Sequence, residues 1–287
     1  RDLVRSRGLG DVYKRQLVMT STTAVDRRPR FPLLKKSAAI LFWIAVWEIV
    51  SLCVGQELLV PSPAQVLVRL LQLLRETDFW LISAASLLRI MAGYLAAVVA
   101  AVFLAVLTSA SSFLHALVSP LLGIIKATPV ASFIILALVW LRGNQIPPFA
   151  AFLMVLPIIW ANVSEGIRNT DRQLLEMGRM FRFGPWKTAW RIYVPSILPY
   201  FMAGCTTGLG LAWKAGVAAE VLAMPRNSIG LQLYNAKVYL ETSDLFAWTL
   251  VIILLSMLLE KLLVALMRRL STRLLRCAPK QEGEKPS

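Results

Sequence analysis

Six long apolar runs separated by polar stretches set the layout of this chain: Ala38 to Val54, Ile82 to about Thr108, Leu117 to about Leu141, Pro147 to about Val163, Tyr200 to about Leu222, and Leu245 to about Met267. Helices of this size, rising about 1.5 Å per residue, cross a hydrocarbon layer about 30 Å thick. Inside such a layer every backbone polar group needs an internal partner, which a helix supplies. The pattern therefore predicts an all-α polytopic membrane protein with six transmembrane helices. Between the first two runs the period changes. After Pro61 and Pro63, residues Val66, Leu67, Leu70, Leu71 and Leu74 recur at helical spacing, so an amphipathic helix is expected at the outer face. The loop from Pro225 to Ser243 has turn signals at Asn227 and Gly230 and a helix expected from Leu231 to Leu240. Ser243 or Asp244 then suits the cap of the last span.

Several spans carry residues that lipid disfavours. Lys126-Ala127-Thr128-Pro129 puts a charge and a helix breaker near the middle of the third. A mid-membrane Lys costs about 2.5 to 3.5 kcal/mol on insertion scales, and broken helices are tolerated at that depth where they line a cavity or pack on protein. A structural kink and a place on a substrate path both fit. In the fifth span Gly204 with Gly208, and Ala212 with Gly216, are small residues four apart that let helices approach closely. Trp213, Lys214 and Glu220 interrupt that surface. Lys214 has two readings: attraction of an anion along a pathway, or a structural pair with Glu220, Glu48 or backbone carbonyls. Arg89, early in the second span, is expected to snorkel to the outer interface. The pathway or gating candidates are Lys126, Pro129, Trp213, Lys214 and Glu220.

Composition sharpens this picture. A hydrophobic fraction of 57% and a mean hydropathy of +0.64 match no ordinary soluble domain. The net charge of +15 suggests nucleic acid until its distribution is read. Residues 17–36 hold five Lys and Arg, residues 164–198 six and the tail six, whereas the opposite loops hold five in all: Arg69, Arg75, Arg142, Arg226 and Lys237. The bias places both termini and the 164–198 segment in the cytoplasm, so the basic excess is topology rather than a polyanion site. Residues 1–18 read as an extension foreign to the native protein or a disordered leader, and 19–36 as a basic cytoplasmic leader. Residues 37–268 form the membrane domain, with a core at about 80–268, and 269–287 are a basic cytoplasmic tail. A poor cleavage pattern and Glu48 favour a retained first span over a secretory signal. Cys53, Cys205 and Cys277 lack metal-ligand spacing, and the lone His115 sits near a short loop, where a structural role is expected.

One stretch stands apart, Leu174 to Pro199, a charged and aromatic island between two apolar runs. Thr170 with Gln173 has capping-box spacing, predicting a helix from about Asp171 toward Phe181. Gly184 permits a reversal, Pro185 suits the first turn of a second helix, and Pro195 and Pro199 are expected to stop it. The resulting bracket is too small to bury Met177, Met180, Phe181, Phe183, Trp186 and Trp190 within itself. An apolar surface rimmed by Arg179, Arg182, Lys187 and Arg191 marks a protein-docking site.

The island resembles the cytoplasmic coupling loop of the permease subunits of bacterial ABC importers, whose pattern is E-A-A, three residues, G, nine residues, I-x-L-P. Here it reads Glu176-Met177-Gly178, then Arg182 at the glycine position, then Ile192-Tyr193-Val194-Pro195, with the spacing kept. Arg182 suggests that the reversal is displaced to Gly184. The prolines and helix after the first span, and Ala219-Glu220 at the end of the fifth, are similar to the nitrate, sulfonate, taurine and bicarbonate group of that family. The resemblance covers nearly all of residues 38–268. It implies a type I importer permease fold working as a pair, two copies of an ATPase subunit docked on the loop, and an extracytoplasmic binding protein that chooses the cargo. It further implies a coupling set of Glu176, Met177, Gly178, Phe181, Arg182, Gly184, Trp186, Ile192 and Pro195, with Glu176 as polar anchor and Met177, Phe181 and Trp186 as apolar contacts. A small anion is the expected solute, with a pyrimidine-type vitamin precursor as an alternative.

No G-x-x-x-x-G-K-[ST] phosphate loop is present, and no H-E-x-x-H or clustered catalytic set. The chain is therefore expected to be neither an enzyme nor a cofactor binder, and energy comes from a partner or an ion gradient. A secondary transporter would show inverted repeats with matched broken helices, and no convincing repeat is visible.

Overall fold

A computed structural model describes residues 32–276, with side chains over 37–269, and every regular element among them is helical. The extension and most of the basic leader lie outside the described residues, as do Cys277 and the tail beyond it. The chain divides into two units, through Gly55 and from Gln56. In the first, α1 (Pro32–Val54) runs unbroken past Glu48 and exposes Ile40, Phe42, Trp43 and Leu52.

The second unit begins with α2 (Pro63–Leu73). Ser62 caps it in a reciprocal box with Gln65, and Val66, Leu70 and Leu73 are buried. Leu67, Leu71 and Leu74 remain exposed, so this helix has two apolar flanks rather than one. Its Arg69 clamps Asp244, with Nη2 donating to Oδ2 at 2.8 Å, and that carboxylate holds the guanidinium pKa above its usual range. Asp244 is thereby occupied as a tie to α2, and the last helix starts at Thr242, ahead of both expected caps.

Three long helices make the core. The middle one, α6 (Ile146–Arg168), packs between α3 (Thr77–Ala110) and α9 (Val194–Ala223). On α3 the residues Gly93, Ala97, Ala101 and Ala105 repeat every four positions and are all buried, a small-residue seam on which backbones meet. At Gly93 the backbone of Pro148 lies where any Cβ would sit. On α9, Gly204 rests on Asn162, Gly208 on Val155 and Gly216 on Ile90. Where larger side chains occur, their polar ends are used: Tyr94 Oη donates to Cys205 O at 3.0 Å, and Trp160 Nε1 to Thr108 Oγ1 at 2.9 Å.

The third apolar run is two helices, α4 (Ser112–Ala127) and α5 (Val130–Leu138), bent by 97° at Thr128–Pro129. Thr128 Oγ1 donates back to Ile124 O at 2.8 Å, and Pro129 has no N–H with which to continue. Among the described residues four helices are long and apolar enough to cross a membrane, five if the bent pair is one span. The fifth expected span, on α9, is not among them: the helix has 30 residues, but its glycines, Thr206, Thr207, Lys214 and Glu220 lower its apolarity. The chain is an all-α polytopic membrane protein. Exposed Leu88, Val99, Phe103, Leu258 and Leu262 give its long helices the outer surface that lipid requires.

Candidate functional site

The bracket forms where the sequence places it, with different local chemistry. Its first helix, α7 (Arg172–Met180), is capped by Asp171, whose Oδ1 accepts from the Gln173 N–H at 2.8 Å. Thr170, expected as the cap, instead donates Oγ1 to Gly166 O at 3.1 Å and stays with α6. The reversal is not displaced. Arg182 itself takes the left-handed conformation, φ +50°, and the Phe183 N–H reaches Gly178 O at 2.8 Å while the Arg182 N–H reaches Arg179 O at 3.0 Å. Those two bonds close a helix end of the kind glycine usually makes. Gly184 has an ordinary φ of −65° and caps the start of α8 (Pro185–Thr188).

The second correction concerns Pro195 and Pro199. Neither stops the bracket's second helix: α8 passes through a π-helical turn, Ala189–Tyr193, into α9 without a gap. In that turn the Val194 N–H bonds five residues back, to Ala189 O. Pro195 follows directly on that turn, in the first residues of α9, and Pro199 is absorbed inside it.

The two arms meet at Gly178 and Ile192, both buried; a Cβ on Gly178 would lie 2.9 Å from Ile192 Cδ1. Almost everything else apolar points away. Met180 is 84% exposed, Trp186 77% and Phe181 71%, with Trp190 and Met177 also exposed. Trp186 and Trp190 face one another at 6.2 Å, Phe181 and Phe183 at 6.4 Å, and Lys187 Nζ sits 4.4 Å over the Phe183 ring. Glu176 is exposed and has no ion pair among the described residues. The bracket, braced where Gly178 meets Ile192, carries an aromatic patch with a charged edge.

The pathway candidates separate into two sets. Lys126, Pro129 and Lys214 are exposed, Lys214 on a face of α9 shared with Ala203, Thr207, Leu211 and Ala218. Trp213 and Glu220 are buried, Trp213 with Nε1 donating to Ile252 O at 3.1 Å on α11 (Thr242–Arg276). Lys214 and Glu220 do not pair: six residues apart on one helix, they point about 120° from one another. Glu220 instead takes Arg89 Nη1 at 2.6 Å and Ser86 Oγ at 2.8 Å, both from α3, and the Gly230 N–H at 3.3 Å. Gly230 belongs to α10 (Ile229–Val238), capped by Ser228, and packs against the Glu220 backbone where a Cβ has no room. Arg89 therefore does not snorkel. The sequence signal for this pair was a carboxylate and a guanidinium near the same end of two spans, which residue spacing alone does not connect.

Residues 97–276, the bracket included, match the model of the binding-protein-dependent transport system inner membrane component. The chain belongs to that family. It is 26% identical to the taurine transport system permease protein of Escherichia coli (strain K12), over 84% of this chain and 92% of that protein. It is 28% identical to the nitrate import permease protein of a Synechocystis species, over 71% and 81% respectively. To a bicarbonate transport system permease protein of the same Synechocystis strain it is 29% identical, over 55% and 56%. Membership makes the chain a multi-pass permease subunit of an ABC importer, a transport component rather than an enzyme, and one that works with partner subunits. Among the described residues nothing covers the outward aromatic patch of the bracket.

Proposed function

We propose that this permease carries a small anion, such as a sulfonate, taurine, nitrate or bicarbonate, through a pathway formed with a second copy of itself. The termini and the bracket face the cytoplasm, and two copies of a separate ATPase dock there. The observation that carries this reading is the exposure of Met180, Phe181, Trp186 and Trp190 beside unpaired Glu176, on a bracket braced at Gly178 and Ile192. That surface fits a groove on another protein, with Glu176 as polar anchor and Arg182 and Gly184 shaping the elbow. Motor closure shifts the permease only by its differential affinity for the two states; inverting a 1:99 equilibrium takes about 5.5 kcal/mol.

The anion reading is supported by the face of α9 that holds Lys214. Too polar for lipid, it fits a water-lined path between two copies, where one ammonium attracts a small anion. Lys126 and Pro129 at the bend are the second candidate stretch. Trp213 and Glu220 serve this path from behind, by holding α9 to its neighbours.

The test is reconstitution in liposomes with the ATPase and the binding protein. Anion uptake that requires ATP and disappears on Trp186→Asp supports the proposal. Uptake that survives ATP depletion and collapses with the ion gradient replaces it with a secondary carrier.

A further inference from the structure

One narrow exposed line runs the length of α9. Ala203, Thr207, Leu211, Lys214, Ala218 and Leu222 follow one another at helical spacing, and every position between them is buried or half-buried. The line runs out at Leu222, next to Ala223, whose carbonyl would lie 3.0 Å from a Cβ on Gly143. Gly143 belongs to a cleft of about 540 Å³ lined by Arg142, Gly143, Asn144, Gln145, Pro225 and Arg226, at the end of α9 remote from the bracket. No carboxylate lines it, both arginines are exposed, and neither has an ion pair among the described residues. The backbone that carries them is nonetheless held in place. Met224 and Asn227 are left-handed, φ +46° and +51°, so the chain bends on each side of Pro225 and Arg226. Ser228 Oγ donates to the Pro225 carbonyl at 2.8 Å, and Arg89 Nη2 to the Arg226 carbonyl at 3.3 Å. The Arg142 N–H donates to Gln145 Oε1 at 3.2 Å, so Gln145 has its NH2 group left to donate.

Two guanidinium groups around one hollow repel each other while it holds only water, and both attract an anion placed between them. Nitrate, bicarbonate and the sulfonate of taurine each present three oxygens on one centre. A guanidinium takes two such oxygens through parallel N–H donors, which the point charge of Lys214 cannot do. We propose that the Arg142–Arg226 cleft is a receiving subsite for these oxoanions at the outer mouth of the path, selecting them over a spherical ion such as chloride. The exposed line of α9 leads from it to Lys214, about 12 Å along the helix axis from Leu222. This rests on the importer reading above, and it adds an entry site and its selectivity.

The experiment is chemical protection of the two arginines. The permease with its ATPase, in phosphatidylcholine liposomes, is treated with phenylglyoxal, and modification of Arg142 and Arg226 is followed by mass spectrometry with exposed Arg75 as the reference. Saturating nitrate or methanesulfonate is expected to slow both arginines about fivefold or more relative to the same concentration of chloride, and to leave Arg75 unchanged. Arg142→Lys is expected to reduce the protection of Arg226 to the chloride level, and Arg226→Lys to do the same for Arg142; co-purification of the ATPase checks that each variant is folded. Equal protection by chloride and nitrate overturns the inference, as does undiminished protection in the lysine variants. Protection that appears only in phosphatidylglycerol vesicles overturns it too, since the cleft would then hold a lipid headgroup. Each of these results leaves ATP-dependent uptake by the wild-type complex in place, whereas loss of that uptake beside a nitrate-protected cleft would remove the importer reading alone.

Discussion

At the scale of single residues, the most informative position is Arg182. A left-handed arginine costs about 1 kcal/mol relative to glycine, yet the helix end it closes is complete in both backbone bonds. Arg182→Gly is therefore expected to raise the thermal stability of the detergent-solubilised protein by about 1 kcal/mol while retaining ATPase binding. Gly184→Ala should be neutral, because its φ is ordinary and nothing lies within 4 Å of the added Cβ. If Gly184→Ala were the damaging change, the reversal would lie there after all. Spacing made the motif position legible in the sequence. The conformation at that position was not, because the spacing is the same whether the turn falls on Arg182 or two residues later. Gly178 was legible only as part of a pattern; its reason, the Ile192 side chain against it, belongs to the folded bracket.

At the scale of helices, the Arg89–Glu220 pair ties α3, α9 and the start of α10 into one unit. Removing one member of a buried pair leaves an uncompensated charge and costs about 3 to 5 kcal/mol, whereas replacing both with apolar residues is often tolerated. Glu220→Met alone should lower the unfolding midpoint sharply, and the Arg89→Met, Glu220→Met double variant should recover most of the loss. A double-mutant cycle in mixed micelles measures this; additive losses would show that the two do not act as a pair. The apolar periods announced every long helix, since each needs a lipid-compatible surface. They did not announce which polar residues meet, because Ser86, Arg89, Glu220 and Gly230 come from segments up to 144 positions apart. The small residues of α9 were partly readable: a four-residue spacing signals close approach, and the structure supplies the partner, α6 for Gly208 and α3 for Gly216.

At the scale of the molecule, the bracket and the exposed face of α9 should fail separately. Trp186→Asp is expected to abolish co-purification of the ATPase without altering the stability of the permease. Lys214→Gln is expected to leave ATPase binding intact and to raise the KM for anion uptake several-fold, as read in liposomes with radiolabelled solute. A Lys214→Gln protein that also lost its ATPase would mean that this face assembles the complex rather than conducting solute. The all-α membrane class was accessible from the apolar runs and the family from the motif spacing between Glu176 and Pro195, but the continuity of the bracket with α9 was not, since Pro195 and Pro199 looked like stops. That continuity has a consequence of its own. The π turn at Ala189–Tyr193 takes up one residue more than regular winding needs with little net rotation, whereas deleting a single residue from the regular helix just beyond it would swing Trp186 around the axis by about 100°. The aromatic patch would then aim at a different quarter of the compass with every one of its side chains intact.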